Sequence, residues 1–244
     1  MGEWIDRGFA FRSTPEGKGK VPGIVILMEA YGVNEHFRRL TDRLSSWGMV
    51  AVTPDLYHRL PQERRAVSYE DRETAMNNLS RMKDEEARED IARAVRLLKD
   101  DPRVDGGRIA VVGFCMGGRL AFLSSEWLGR EIQCAVSFYG GGIGAPKGYF
   151  PGQTEVPLAH VGKIEASLLL LFGEVDSFIP AEERKAVSDS LQKVGKKFRM
   201  VTYPGAGHGF FCEDRSAYHK EAAEAAEKEM RAFLGGCLGL PVSQ

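Results

Sequence analysis

From residue 21 to the C-terminus, short β-branched apolar runs alternate with stretches whose apolar residues recur at helical spacing. No other feature restricts the fold as much, because a strand–helix repeat closes most simply into a largely parallel sheet wrapped by helices. Strands are expected at Val21–Ala30, Met49–Thr53, 108–112, Cys134–Tyr139, Leu168–Phe172 and Phe198–Tyr203. Asn34 is placed to cap a helix carrying Phe37, Leu40, Leu44 and Trp47 on one face. Asp84–Lys99 aligns Ala87, Ile91, Ala94, Val95 and Leu98 along an apolar stripe. Pro180, at a favoured first-turn position, opens a helix through about Val194. Ser216–Leu234 is expected to be the last helix. The Gly/Pro-rich Gly140–His160 connection is expected to be a loop, and the polar residues 56–82 an irregular, mobile segment over a site. Nothing marks a domain boundary or an internal repeat. Residues 1–244 are therefore expected to form one α/β domain, a doubly wound, mostly parallel sheet with helices on both faces.

Ligands on such sheets bind beyond the carboxyl ends of the strands, so the loops leaving those ends should carry the chemistry. Gly113-Phe114-Cys115-Met116-Gly117-Gly118 follows the run Arg108–Val112 and precedes the helical Leu120-Ala121-Phe122-Leu123. This is the shape of a nucleophile elbow, G-x-S-x-G, with cysteine in the serine position. Such a turn lifts one side chain to the end of the sheet and aims backbone N–H groups at whatever that side chain attacks. Sulfur at that position points to covalent thiolate catalysis, which needs a base to take or balance the proton.

His208, set between glycines in Gly205-Ala206-Gly207-His208-Gly209-Phe210, is the candidate base. The imidazole in turn needs an acid to fix its tautomer. Asp176 follows a strand and fits that role, with Glu174 two residues away as the competing carboxylate. The chain order of nucleophile, acid and base is that of α/β-hydrolases. An oxyanion hole needs two N–H donors, and the amides of Met116 and Ala30 stand in the right places. Glu29 puts a carboxylate at the end of an otherwise apolar strand, where burial demands a partner such as a thiol or an arginine.

Composition removes several function classes. A net charge of -1 offers no basic field for nucleic acid. The longest apolar runs, Gly23–Ala30 and Ser167–Phe172, fall far short of the ~20 residues that span a bilayer. Met1–Arg12 lacks the ~7–15-residue apolar stretch of a signal peptide, so a cytoplasmic protein without membrane association is expected. Cys115, Cys134, Cys212 and Cys237 lack CxxC spacing and suggest neither a zinc site nor a disulfide framework. Cys134 reads as core, and Cys212 and Cys237 as incidental, with Cys212 near enough in sequence to His208 to line a site. His36, His58, His160 and His219 read as surface or structural residues, and Asp55 as a turn residue after Pro54. No metal or organic cofactor is implied, and a monomer or small homo-oligomer is expected.

Four segments together resemble the dienelactone hydrolase family: Glu29-Ala30-Tyr31-Gly32-Val33-Asn34, Pro54-Asp55-Leu56-Tyr57, the Gly113–Gly118 elbow and Gly207-His208-Gly209-Phe210. The likeness spans nearly the whole chain, in order and at compatible spacing. It implies an α/β-hydrolase fold and a Cys–His–Asp triad of Cys115, His208 and Asp176. It also implies that Glu29 contacts the resting thiol and helps it ionise when substrate arrives. The best-known family activity opens a dienelactone to maleylacetate. One position departs from the pattern. The well-characterised members carry an arginine four residues after the histidine, where it holds the substrate carboxylate, and here that residue is Cys212. Arg215, Arg72 and Arg81 are the candidate substitutes. The expected activity is hydrolysis of small carboxylic esters or lactones. A broad esterase or thioesterase, a thiol-based redox or electrophile sensor, and a non-catalytic binding module are the alternatives.

Overall fold

A computed structural model describes residues 2–146, 152–153 and 156–240. The chain runs β1 (Glu3–Ile5), β2 (Ala10–Ser13), β3 (Val21–Leu27), α1 (Glu35–Ser45), β4 (Val50–Pro54), α2 (Gln62–Arg65), α3 (Arg72–Ser80) and α4 (Asp84–Asp100). It continues β5 (Val104–Phe114), α5 (Met116–Trp127), β6 (Cys134–Phe138), β7 (Ser167–Gly173), α6 (Ala181–Lys193), β8 (Phe198–Tyr203) and α7 (Lys220–Leu238). The strands form one sheet in the order β1-β2-β4-β3-β5-β6-β7-β8. From β4 to β8 every neighbouring pair is parallel, while β1 and β2 add an antiparallel edge.

Strand register sorts the helices onto the two faces, because directly paired residues point the same way and successive residues along a strand point oppositely. Gly23 abuts Leu98 of α4 and pairs with Ile109. Val111 and Gly113 share that face with Ile109, and Gly113 abuts Gly117 of α5. Arg108, Ala110 and Val112 point the other way, where the Arg108 guanidinium donates to the Leu238 carbonyl of α7. Arg43 of α1 pairs with Glu227 of α7 on that same face. Because both faces are covered, the central strands are apolar throughout rather than alternating. Ile24–Leu27, Ile109–Val112 and Leu168–Leu171 are all fully buried. Each such side chain stabilises the fold by roughly 1.5–3 kcal/mol.

Several boundaries differ from those expected, each for a local reason. Residues 56–82 are not irregular throughout: they hold α2 and α3. The Asp71 side chain caps α3 by accepting the Thr74 N–H at 3.0 Å, and Asn78 pins α3 to the Arg64 carbonyl at 2.7 Å. The last helix starts at Lys220 instead of Ser216, because His219 takes the cap position and its Nδ1 accepts the Ala222 N–H. Pro180 caps α6 from outside. Strand β3 ends at Leu27, which frees Glu29 and Ala30 from the sheet. The antiparallel strands β1 and β2 are additions that the sequence pattern does not announce. Within the Gly140–His160 connection, residues 147–151, 154 and 155 lie outside the described residues, and Pro157–Lys163 forms a 3-10 turn.

Candidate active site

The carboxyl ends of β3, β5, β6, β7 and β8 lie side by side, and each releases one side chain of the site. Cys115 caps the junction of β5 and α5 at φ 55° and ψ -117°, a conformation that side-chain-bearing residues rarely adopt. Such strain costs on the order of 1–3 kcal/mol and persists only where the surroundings enforce it. Here the Cys115 N–H donates to the Phe138 carbonyl at 3.0 Å, and its own carbonyl accepts the Arg119 N–H at 3.1 Å. A β-carbon on Gly113 would fall 1.9 Å from the Gly117 carbonyl oxygen, so only glycine lets the strand and helix meet this tightly. Met116 is the first helical residue, and the N–H groups of a first turn have no partner within their helix. They present partial positive charge beside the sulfur.

His208, in the loop after β8, binds Asp176, in the loop after β7, through Nδ1 and Oδ2 at 2.8 Å. The other Asp176 oxygen accepts the Phe178 N–H at 2.9 Å, so the fully buried carboxylate is held at both ends. Glu174, the competing acid, instead braces the loop by accepting the Gly205 N–H at 3.1 Å. The rings of Tyr139 and Phe178 flank the imidazole, each with its centroid 5.2 Å away. The Cys115 sulfur lies close enough to the ring to act on its charge, and both side chains line one cavity. Burial works to lower the His208 pKa, but the Cys115 sulfur and the Asp176 hydrogen bond outweigh it and push it up to about 10.

Glu29 is 1% exposed and has two partners. The Tyr139 hydroxyl donates to Oε1 at 3.0 Å, and Nη1 of Arg215 lies 3.4 Å from both carboxylate oxygens. Of the two partners that burial demanded, the arginine is the one in place. The Arg215 guanidinium also lies over the rings of Tyr31 and Tyr69, 5.6 and 5.7 Å from their centroids. Burial alone would lower its pKa, yet Glu29, foremost among its neighbours, holds it above the ordinary range. Gly209 lets Arg215 approach the histidine loop: its φ is +81°, and a β-carbon there would meet Nη1 at 2.4 Å. Cys212 is fully buried beside Tyr69, its thiol pushed up to about 12 by burial first and by Glu29 second. It is not among the residues that line the cavity.

The cavity holds about 340 Å³. Cys115, Met116, His208, Ala30, Arg72 and Arg215 share its wall, so six of the candidates from the sequence meet there. The Tyr57 hydroxyl steadies the Ala30 peptide by donating to its carbonyl at 3.1 Å. Helix α3 roofs the cavity with Arg72, Met76 and Leu79, whereas Arg81 does not reach it. A buried ion pair between Arg119 and Asp84, with contacts of 2.6 and 2.9 Å, adds a polar patch among Met82, Leu120 and Phe178. Sequence reasoning missed Tyr139, Phe178 and this ion pair. Tyr139 immediately follows the end of β6, so the strand-end rule that selected Cys115 would also have selected it.

His58 pairs with Asp90 at 3.1 Å, His219 caps α7, and the Asp55 carboxylate accepts the Tyr57 N–H at 2.9 Å, so all three serve the scaffold. Among the described residues, no cluster of three His, Cys, Asp or Glu side chains could hold a metal ion. No helix among them is long and apolar enough to cross a membrane.

The model of the Dienelactone hydrolase family matches residues 9–238. A Synechocystis protein named "Putative carboxymethylenebutenolidase" is 29% identical over 225 residues, covering 92% of this chain and 89% of its own length. A Bradyrhizobium protein named "Probable 2-oxo-3-(5-oxofuran-2-ylidene)propanoate lactonase" is 27% identical over 238 residues, covering 95% and 93%. Among solved structures, a "Putative Dienelactone Hydrolase" from Klebsiella pneumoniae superposes with a TM-score of 0.83 at 27% identity, covering 93% of this chain and 92% of the other.

Proposed function

The chain belongs to the dienelactone hydrolase family, and on that premise we propose that it hydrolyses small carboxylic esters or lactones through a covalent intermediate on Cys115. One observation carries the reading: Asp176 holds His208 by a 2.8 Å hydrogen bond, and His208 stands with Cys115 on the wall of one cavity.

In this reading the sulfur attacks the substrate carbonyl as a thiolate, balanced by the imidazolium of His208. The oxyanion that forms takes hydrogen bonds from the amides of Met116 and Ala30. His208 gives its proton to the leaving oxygen, and the tetrahedral adduct collapses to a thioester on Cys115. Water then loses a proton to the neutral imidazole, attacks the thioester and releases the carboxylic acid. Asp176 keeps the imidazole oriented through both halves. Glu29 holds Arg215 in the resting site and assists ionisation of the thiol when substrate displaces that pairing.

Besides the Arg119–Asp84 pair, the cations Arg72 and Arg215 line a cavity whose other walls are largely apolar. They favour a compact ester or lactone bearing a carboxylate, with Arg215 taking the part that Cys212 leaves vacant. The names carried by the relatives, a carboxymethylenebutenolidase and a lactonase, support the same substrate class. The test is a panel of esters and lactones, with and without a carboxylate, offered to wild type and to Cys115→Ala. Turnover that favours the carboxylate-bearing members and disappears in Cys115→Ala supports the reading. Hydrolysis by Cys115→Ala at the wild-type rate excludes it.

A further inference from the structure

Two cysteines outside the site meet at the opposite end of the sheet. Cys134 opens β6 and pairs with Ala110 of β5, so its side chain points to the face covered by α7. Ser167, the first residue of β7, is the register partner of Cys134 and points the same way. Lys197 lies at the next strand's start, its carbonyl accepting the Leu168 N–H. Cys134, Ser167 and Lys197 thus form a row across the starts of three neighbouring strands. The last turn of α7 brings Cys237 down onto this row. Its sulfur lies close enough to Cys134, Ser167 and the Lys197 ammonium for each of them to act on its ionisation. Cys237 is partly exposed, while Cys134 is fully buried.

The two thiols differ in the way a reactive and a resolving thiol differ. A reactive cysteine is partly exposed, close to positive charge and hydrogen-bonded as the thiolate. Cys237 is partly exposed and lies near the Lys197 ammonium. The neighbouring Cys134 thiol lowers its pKa most, with help from Lys197 and Ser167 and against the effect of burial. Cys134 keeps its proton, because the neighbouring Cys237 and then burial raise its pKa. Neither sulfur lines the cavity that holds Cys115.

From this juxtaposition we propose that Cys134 and Cys237 form a peroxide-sensitive dithiol, with Cys237 the attacking sulfur and Cys134 the resolving one. The Cys237 thiolate displaces hydroxide from hydrogen peroxide, breaking the O–O bond and becoming a sulfenic acid. Cys134 then attacks that sulfur, its proton leaves with the sulfenic oxygen as water, and a disulfide joins them. Overall two thiols are oxidised by two electrons, and one peroxide is reduced to two waters. The bond fastens the end of α7 to the start of β6. A reducing thiol reverses it.

The test uses the whole chain with its natural cysteines. Protein is exposed to hydrogen peroxide, free thiols are blocked by alkylation, and the digest is mapped by mass spectrometry without reduction. A peptide pair joined through Cys134 and Cys237, lost on treatment with dithiothreitol, is the expected result. Repeating the experiment on Cys115→Ser shows the same pair, because the nucleophile takes no part in it. In Cys237→Ser, Cys134 stays alkylatable only after unfolding and acquires no oxidation. The proposal is overturned if Cys237 proceeds to sulfinic or sulfonic acid while Cys134 remains reduced. It is equally overturned if Cys237 crosslinks to a second chain, or stays fully alkylatable after Cys115 has been oxidised.

Discussion

Replacing Arg215 by alanine strips the Glu29 carboxylate of the guanidinium that faces it. The ion pair is deep, with 19% of the arginine side chain exposed and 1% of the glutamate side chain. Removing one partner of a buried pair costs about 3–5 kcal/mol, because the remaining charge has been taken from water without compensation. The lower end applies here, since Tyr139 keeps its 3.0 Å hydrogen bond to Glu29 and Arg215 retains some contact with solvent. At about 3 kcal/mol, a chain of this size should melt roughly 6–12 °C lower. Glu29→Gln should cost about 1 kcal/mol, because the amide still accepts the Tyr139 hydroxyl and Arg215 turns toward water. In the Glu29→Gln background, Arg215→Ala no longer strands a charge, so a double-mutant cycle should give a coupling of about 2 kcal/mol. Calorimetry on the four proteins checks this. The same Arg215→Ala protein should lose about 10- to 100-fold in kcat/KM on a carboxylate-bearing ester, the value of a lost charge-assisted hydrogen bond, and much less on its neutral analogue. A melting point within about 1 °C of wild type, or additive single losses, would refute the reasoning about the buried pair.

Asp176→Asn should leave the fold intact and lower kcat/KM by about 10⁴-fold, because an amide presents the wrong hydrogen-bond pattern to the imidazole. Circular dichroism and steady-state kinetics on one preparation check both halves. Nitrogen-15 NMR of the imidazole should find His208 protonated at neutral pH and losing its proton as pH rises through about 10. Because this pKa is raised on folding, the associated stability is complete below the unfolded value of about 6.5 and fades as pH climbs toward about 10. In Cys115→Ala the titration should move down, since the sulfur is the foremost influence raising it.

The sequence carried the parts of this molecule that depend on local pattern. The elbow is legible because a strand, two glycines and a helix must follow one another within a few residues to strain Cys115. His208 and Asp176 are legible because each stands in the loop leaving a strand, Asp176 three residues past β7 and His208 five past β8. What was hidden depends on register or on surfaces with weak pattern. Helix α3 buries only Ala75 and Asn78, so its polarity gives no periodic signal even though it roofs the cavity. Strands β1 and β2 are three and four residues long, too short for alternation to register. Arg215 lies three residues beyond the expected arginine position. A turn closed by the Arg215 N–H on the Cys212 carbonyl carries it back to Glu29. The meeting of Cys134 with Cys237 follows from which strand residues pair with Ala110, a relation that no stretch of sequence contains.

The central claim is that Cys115 becomes acylated during turnover. An aryl ester such as p-nitrophenyl acetate, mixed with the protein and quenched in acid before the substrate is exhausted, tests it directly. Peptide mass spectrometry should find one acetyl group, on the peptide containing Cys115, in a bond that hydroxylamine cleaves as it does thioesters. An acetyl group trapped on another residue, or undiminished turnover by Cys115→Ala, would contradict the account.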